Sequence, residues 1–327
     1  MADVSAKPQP KPLPTGLSLR DQYTMLVHPE WNLTHYVPFE DAAAFAFDPA
    51  ATDVSRVNAW WLADAAWASY IHDPTALKQV YDPTGIAAVD LFEVHGTDFT
   101  VAHTPEFAIV AFRGTQPDQW RDIFADVHWK VRAWDTGFVH GGFADAFERG
   151  WLGGLRDALT ALPSGCRIWV TGHSLGAAMA TLAAWRIDTH FGQGRVAGVC
   201  TFGSPLVGND DFAAQFAARF PGLRSRRYVN HVDLVTRVPP EEFAFPRGRF
   251  THVETLRQFD AAGHLDAAAR TQRRFFWSVF GNGAVMLDML RLGAHVDLHL
   301  PQALRDHTPV HYPTLVWNDF VANYATA

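Results

Sequence analysis

The chain has 327 residues, 48% of them hydrophobic and 13% aromatic, with a formal net charge of −7. That is enough apolar material for one large core, and the acidic balance argues against nucleic acid as the main partner. Two cysteines, Cys166 and Cys200, both in or beside expected strands, read as buried free thiols rather than a disulfide framework.

Residues 1–16 form a proline-rich start, expected to be a flexible arm, and residues 17–327 are expected to be a single domain. The start has no apolar run of the kind found in secretory leaders. The expectation is therefore a cytoplasmic protein, with a removed signal or a leaderless route left open. No segment gives an uninterrupted transmembrane span. Leu17 to Val27 predicts a short helix, and Val54 to Tyr81 a helical stretch that Asp73-Pro74 breaks in two. Ile86 to Val94 and Phe99 to His103 predict strands. Phe107 to Phe112 is a continuous apolar run, as expected of a strand buried on both faces. A helix is predicted over Phe143 to Leu162, a strand over Arg167 to Thr171, another over Val196 to Phe202, a helix over Asp211 to Phe220 and a strand over Ser225 to Val229. Strands alternating with helices imply an α/β fold: a mostly parallel central sheet with helices on both faces, carrying its site at the carboxyl ends of the strands.

One pentapeptide in that series carries chemistry. Gly172-His173-Ser174-Leu175-Gly176 follows a strand and opens the small-residue run Ala177 to Ala184. Strand, G-x-S-x-G, then helix is the context of a nucleophile elbow. A sharp turn holds the serine Oγ above the sheet, and side chains two residues away on either side would crowd it. Gly172 and Gly176 have none. The following helix points its free N–H groups at the site, so the Leu175 N–H is a candidate oxyanion donor. His173 is too close along the chain to swing back onto Ser174 and reads as a packing residue.

A nucleophilic serine needs a histidine, and the histidine a carboxylate. Where the serine sits on a nucleophile elbow, the acid follows it in the chain and the base follows the acid. Asp233 comes just after the strand Arg227-Tyr228-Val229, which suits the acid; the bland reading is a loop cap. Asp260 and Asp266 are rivals with no clear strand before them. For the base, His252, His264, His295, His299, His307 and His311 are all downstream. His307 sits in a polar loop near the end of the chain, with His311 as its competitor.

With these segments in view, the chain resembles the class 3 lipases of the α/β-hydrolase fold over roughly residues 107 to 320. Val110 to Thr115 is similar to that family's oxyanion segment, which implies Thr115 as a donor. Trp120, Asp122 and Asp126 resemble the pattern that follows, and Val139-His140-Gly141-Gly142-Phe143 its His-x-Gly-Phe block. Phe202 to Gly208 resembles its next strand end, and Tyr228 to Pro240 its acid block. Asp306-His307, with Tyr312 five residues beyond the histidine, resembles its base block and favours His307 over His311. Gln116-Pro117 stand where the family often has a serine.

The resemblance implies a lipase cleaving acylglycerol esters through Ser174, His307 and Asp233, with Thr115 and Leu175 holding the oxyanion. No cofactor or metal is called for. The alternatives are a soluble short-chain carboxylesterase or phospholipase and, from another class, a non-catalytic lipid-binding module. Within residues 245–300, Arg273 to Leu292 is apolar and aromatic beside basic residues. It reads equally as core helices or as a cap that docks on a lipid–water interface.

Overall fold

The computed structural model describes residues 7–13, 17–29, 35–114, 131–239, 248–266 and 302–324. Helices α1 (Leu19–Val27), α2 (Arg56–Ala68) and α3 (Pro74–Tyr81) come first. Each is opened by a side chain that satisfies an orphan N–H: Ser18 accepts from Asp21, Ser55 from Asn58 and Asp73 from Thr75. Strands β1 (Ala88–Val94), β2 (Thr97–His103) and β3 (Phe107–Phe112) then form an antiparallel meander.

After β3, the short strands β4 (Val131–Ala133) and β5 (Phe138–His140) lead into α4 (Gly141–Gly150). The helix expected to run to Leu162 is interrupted at Trp151–Leu155 and resumes as α5 (Arg156–Thr160). The break falls at Gly153-Gly154, where Gly154 takes φ 143°. Strand β6 (Arg167–His173) enters the elbow and α6 (Leu175–His190) leaves it. Strand β7 (Val196–Phe202), the short β8 (Gly208–Asn209), α7 (Asp210–Arg219) and β9 (Ser225–Asn230) follow. The chain ends in α8 (Gln302–Arg305) and α9 (His311–Ala322), with two further strands before them: β10 (Phe250–Thr251) and β11 (Thr255–Phe259).

The main sheet runs β1-β2-β3-β6-β7-β9-β11, parallel from β3 onward. It is the expected α/β arrangement, with two differences. Strand β11 was not expected, so Asp260 does follow a strand. And residues 248–266, the described part of the segment read as a cap, belong to the sheets. The rest of that segment, with Phe275 to Leu292, lies outside the described residues. A smaller antiparallel sheet, β10-β8-β5-β4, stands beside the main one.

Helices α2 and α9 bury one face of the main sheet in an aromatic layer that includes Trp60, Trp169, Trp317 and Phe320. Helices α4, α6 and α7 bury the other with Phe147, Ala178, Leu182 and Phe212. Covering both faces is what allows β3, β7 and β9 to be buried along their whole length. Residues 7–13 lie along α9: Lys11 and Asn318 exchange two hydrogen bonds, and the Gln9 carbonyl accepts from Trp317 Nε1. Cys166 and Cys200 are free and buried.

Candidate active site

Ser174 sits between β6 and α6 with φ 58° and ψ −129°. A non-glycine residue held there stores of order 1–3 kcal/mol of backbone strain. The turn closes because both flanking glycines meet backbone. A Cβ on Gly172 would strike Gly176, and one on Gly176 would strike the Phe112 carbonyl and stand 2.7 Å from the Arg113 carbonyl carbon. The Ser174 N–H is tied to the Phe202 carbonyl at the end of β7 (3.0 Å). Leu175 is the first residue of α6, where a helix leaves its N–H groups unpaired.

The loop after β3 lies against this elbow. A Cβ at Gly114 would stand 2.8 Å from the His173 carbonyl and 3.1 Å from Ser174 Cβ. Arg113, one residue earlier, is fixed by a largely buried ion pair with Asp98 (Nη1–Oδ2 2.7 Å). Thr115 itself lies outside the described residues, as do Trp120, Asp122 and Asp126. His72, Glu93 and Asp98 place ligand atoms within 4.8 Å of one another, a set that could hold a metal ion. The Arg113 guanidinium stands among them, 2.7 Å from Asp98 and 3.0 Å from His72 Nδ1, so the cluster already has its cation.

Asp233 and His307 come together, both fully buried. His307 Nδ1 donates to Asp233, 2.9 Å from Oδ1 and 2.8 Å from Oδ2. The remaining lone pairs of Asp233 are also used: Oδ1 accepts from the Val235 N–H (2.9 Å), and Oδ2 from the Tyr312 hydroxyl. Burial and the adjacent carboxylate push the Tyr312 hydroxyl well above its ordinary range, so it stays a donor. His173 lies under His307, with the two rings 4.4 Å apart (centroid to centroid) and His173 Nδ1 2.8 Å from the Tyr70 hydroxyl. Burial, with His307 alongside, holds His173 well below the usual histidine range. It packs, as expected, as a neutral ring that leaves room for a positive charge on its neighbour.

The rivals go elsewhere. Asp260 caps its own turn, accepting from Ala262 and His264 N–H groups. Asp266 is exposed. His252 Nε2 is 2.8 Å from the Thr236 carbonyl, which it can reach only as a donor. His264 is 79% exposed and faces Asp260. His311 opens α9, and burial holds it down to about 4. His295 and His299 lie outside the described residues. His140 caps α4 by accepting from the Phe143 N–H at 3.3 Å. The contacts that sequence reasoning missed are those of Tyr312, a spacing marker whose hydroxyl donates to Asp233, and of Tyr70 and Asp306. Only the position of Tyr312 after the histidine offered a signal.

Residues 109–243 match the family model described as lipase (class 3). A lipase of Rhizopus niveus is 32% identical over 146 residues, covering 42% of this chain and 36% of the relative. Secreted mono- and diacylglycerol lipase 3 of Gibberella zeae is 35% identical over 107 residues, covering 32% of this chain and 33% of the relative. The chain thus spans about a third of the length of these curated relatives. The crystal structure of Rhizomucor miehei triacylglyceride lipase is similar at 23% identity and a TM-score of 0.49, covering 63% of this chain and 80% of that one. The expectation of a cytoplasmic protein is overturned: the relatives from Gibberella zeae, Fusarium solani and Malassezia restricta are named secreted lipases. That expectation rested only on the lack of an apolar run in the first residues, which is not evidence of where a protein works. Among the described residues no helix is long and apolar enough to cross a membrane. Over residues 109–243, the chain is similar to the class 3 lipases.

Proposed function

We propose that this protein is a serine carboxylic-ester hydrolase that cleaves acylglycerol esters by way of an acyl-enzyme. The observation that carries the reading is the fully buried His307–Asp233 pair, its imidazole packed on His173, the residue before a serine strained at the mouth of α6. Ser174 Oγ attacks the ester carbonyl as His307 takes its proton. Asp233 fixes the Nδ1–H tautomer and stabilises the imidazolium. The tetrahedral oxyanion is held by the Leu175 N–H and by Thr115, each such donor worth about 2.7–4 kcal/mol in the transition state. His307 returns the proton to the departing alcohol. Water, deprotonated by His307 in turn, then releases the fatty acid. Two things support acylglycerols as the substrate class: the relatives named for them, and the apolar, aromatic run from Arg273 to Leu292, whose composition suits a lipid–water interface.

Ser174→Ala tests the reading. Hydrolysis of p-nitrophenyl esters and of triacylglycerol emulsions should fall on the order of 10⁶-fold, the cost of deleting a triad serine. Labelling by an organophosphonate should vanish with it. Retained hydrolysis would overturn Ser174 as the nucleophile, and a wild-type serine inert to the label would favour the non-catalytic lipid-binding module. A chain-length series would separate lipase from short-chain esterase.

A further inference from the structure

The acid and the base reach the site on separate segments, Asp233 on the turn after β9 and His307 after α8. Their pairing needs these segments held in register. Four hydrogen bonds do this. The Leu234 N–H donates to the Ala303 carbonyl (3.1 Å), and Asn230 Nδ2 to the Asp306 carbonyl (2.9 Å). The Val232 N–H and His231 Nδ1 both donate to Asp306 Oδ2, at 3.2 and 3.1 Å. Gln302 Nε2 donates to the other carboxylate oxygen. Asp306 therefore gathers three donors from two segments while sitting directly before the base. His231 is itself clamped from β11: its N–H donates to the Phe259 carbonyl (3.0 Å), and Gln258 Nε2 donates to its carbonyl (2.7 Å). Its φ of 39° is in the left-handed region, held because both ends of the turn are tied.

We propose that His231 and Asp306 are positioning residues, a latch that sets the acid turn against the base segment so that His307 stays seated on Asp233. The proposal rests on the triad reading above. Neither side chain is assigned contact with substrate. The pair borders a cavity of about 380 Å³ that is also lined by Asp260 and His311. His231 shares this cavity with Asp306, Asp260 and His311, and a smaller one with Arg227, Arg237 and His252. Burial raises the Asp306 carboxyl, although Gln302, Val232 and His231 draw it back. The side chain of Asp306 is 7% exposed and that of His231 33%, so the latch has one dry jaw and one wet one.

The test uses the full chain and a soluble ester, with kcat, KM, the pH profile of kcat/KM and the thermal midpoint measured together. His231→Ala and Asp306→Ala should each lower kcat about tenfold with KM unchanged, since small misplacements of catalytic groups cost rate rather than binding. The double variant should be no worse than the worse single, because both break one link. The acid limb of the pH profile should move to lower pH as His307 loses its firm seat on the carboxylate. Asp306→Asn keeps an oxygen that accepts from Val232 and His231, and should restore most of kcat. Wild-type kcat in the alanine variants with only a lower thermal midpoint would overturn the latch, as would losses that multiply in the double variant. Ser174→Ala is assayed beside them: if it hydrolyses, the triad reading fails; if it is inert while Asp306→Ala is unimpaired, the latch alone fails.

Discussion

Tyr312 illustrates how one hydroxyl serves two buried groups. It donates to Asp233 Oδ2 and accepts from the Asn230 N–H at 3.2 Å, joining α9 to the end of β9 at the acid. Tyr312→Phe keeps the ring against His173 and Phe202 but takes the acceptor from the buried Asn230 N–H and one of the donors from Asp233. An unsatisfied buried polar group costs about 1–3 kcal/mol, so urea unfolding should show a loss of about that size. The freed carboxylate is a stronger base partner, so the acid limb of kcat/KM should also move to higher pH. Unfolding at the wild-type midpoint would mean that the hydroxyl contributes nothing there.

Elements decide how close these residues come. Helix α6 approaches β3 only because Gly176 lacks a side chain where it meets Phe112 and Arg113 backbone. Backbone cannot rotate away, so Gly176→Ala should push the helix from the sheet, costing about 1–3 kcal/mol of stability and most of the ester hydrolysis. A variant that matches wild type in denaturant midpoint and kcat would show that the contact yields. This packing was legible in the chain, because glycines flanking a serine between a β-rich run and an alanine-rich run leave few other readings. Strand β3 was equally plain as a continuous apolar run, and β7 as the strand that follows the elbow helix. Strand β11 was not: Arg257 and Gln258 interrupt its pattern, and its parallel partner β9 carries Arg226 and Arg227. Those guanidiniums are compensated by distant carboxylates, Glu254 beside Arg227 and Asp319 near Arg226, and local periodicity cannot register such partners. The break in the helix after Gly150 was hidden for a similar reason, since Val94 and Phe92 pack where a Cβ on Gly153 or Gly154 would lie. The elbow and the acid turn are local patterns; the latch between His231 and Asp306 joins residues 75 apart.

Some of the polar groups that tie distant segments are buried, and burial makes folding depend on pH. Asp64 on α2 is fully buried and accepts from the Tyr36 hydroxyl and the Phe39 N–H, both at 2.7 Å. Tyr36 accepts in turn from Trp60 Nε1 (3.0 Å), and Lys11 lies over the Tyr36 and Trp317 rings. One carboxyl thus anchors the segment before α2 beneath the layer that α9 also covers. Burial raises it from 3.8 to about 7. Between those values the folded protein keeps a proton that the unfolded chain has lost. Its contribution to stability is therefore complete below about pH 4 and falls as the pH rises to about 7. His311 works in the opposite sense. Held down from 6.5 to about 4, it contributes fully above pH 6.5 and loses that contribution as the pH falls through 4. The two oppose each other in the same window, so the wild-type curve isolates neither. Differences do. The thermal midpoint of Asp64→Asn minus that of wild type should climb from pH 4 to 7 and then level, because the amide carries no charge to bury. The same difference for His311→Asn should climb as the pH falls from 6.5 to 4. Curves that run parallel to wild type for either variant would show that the group does not titrate in the fold as its burial requires.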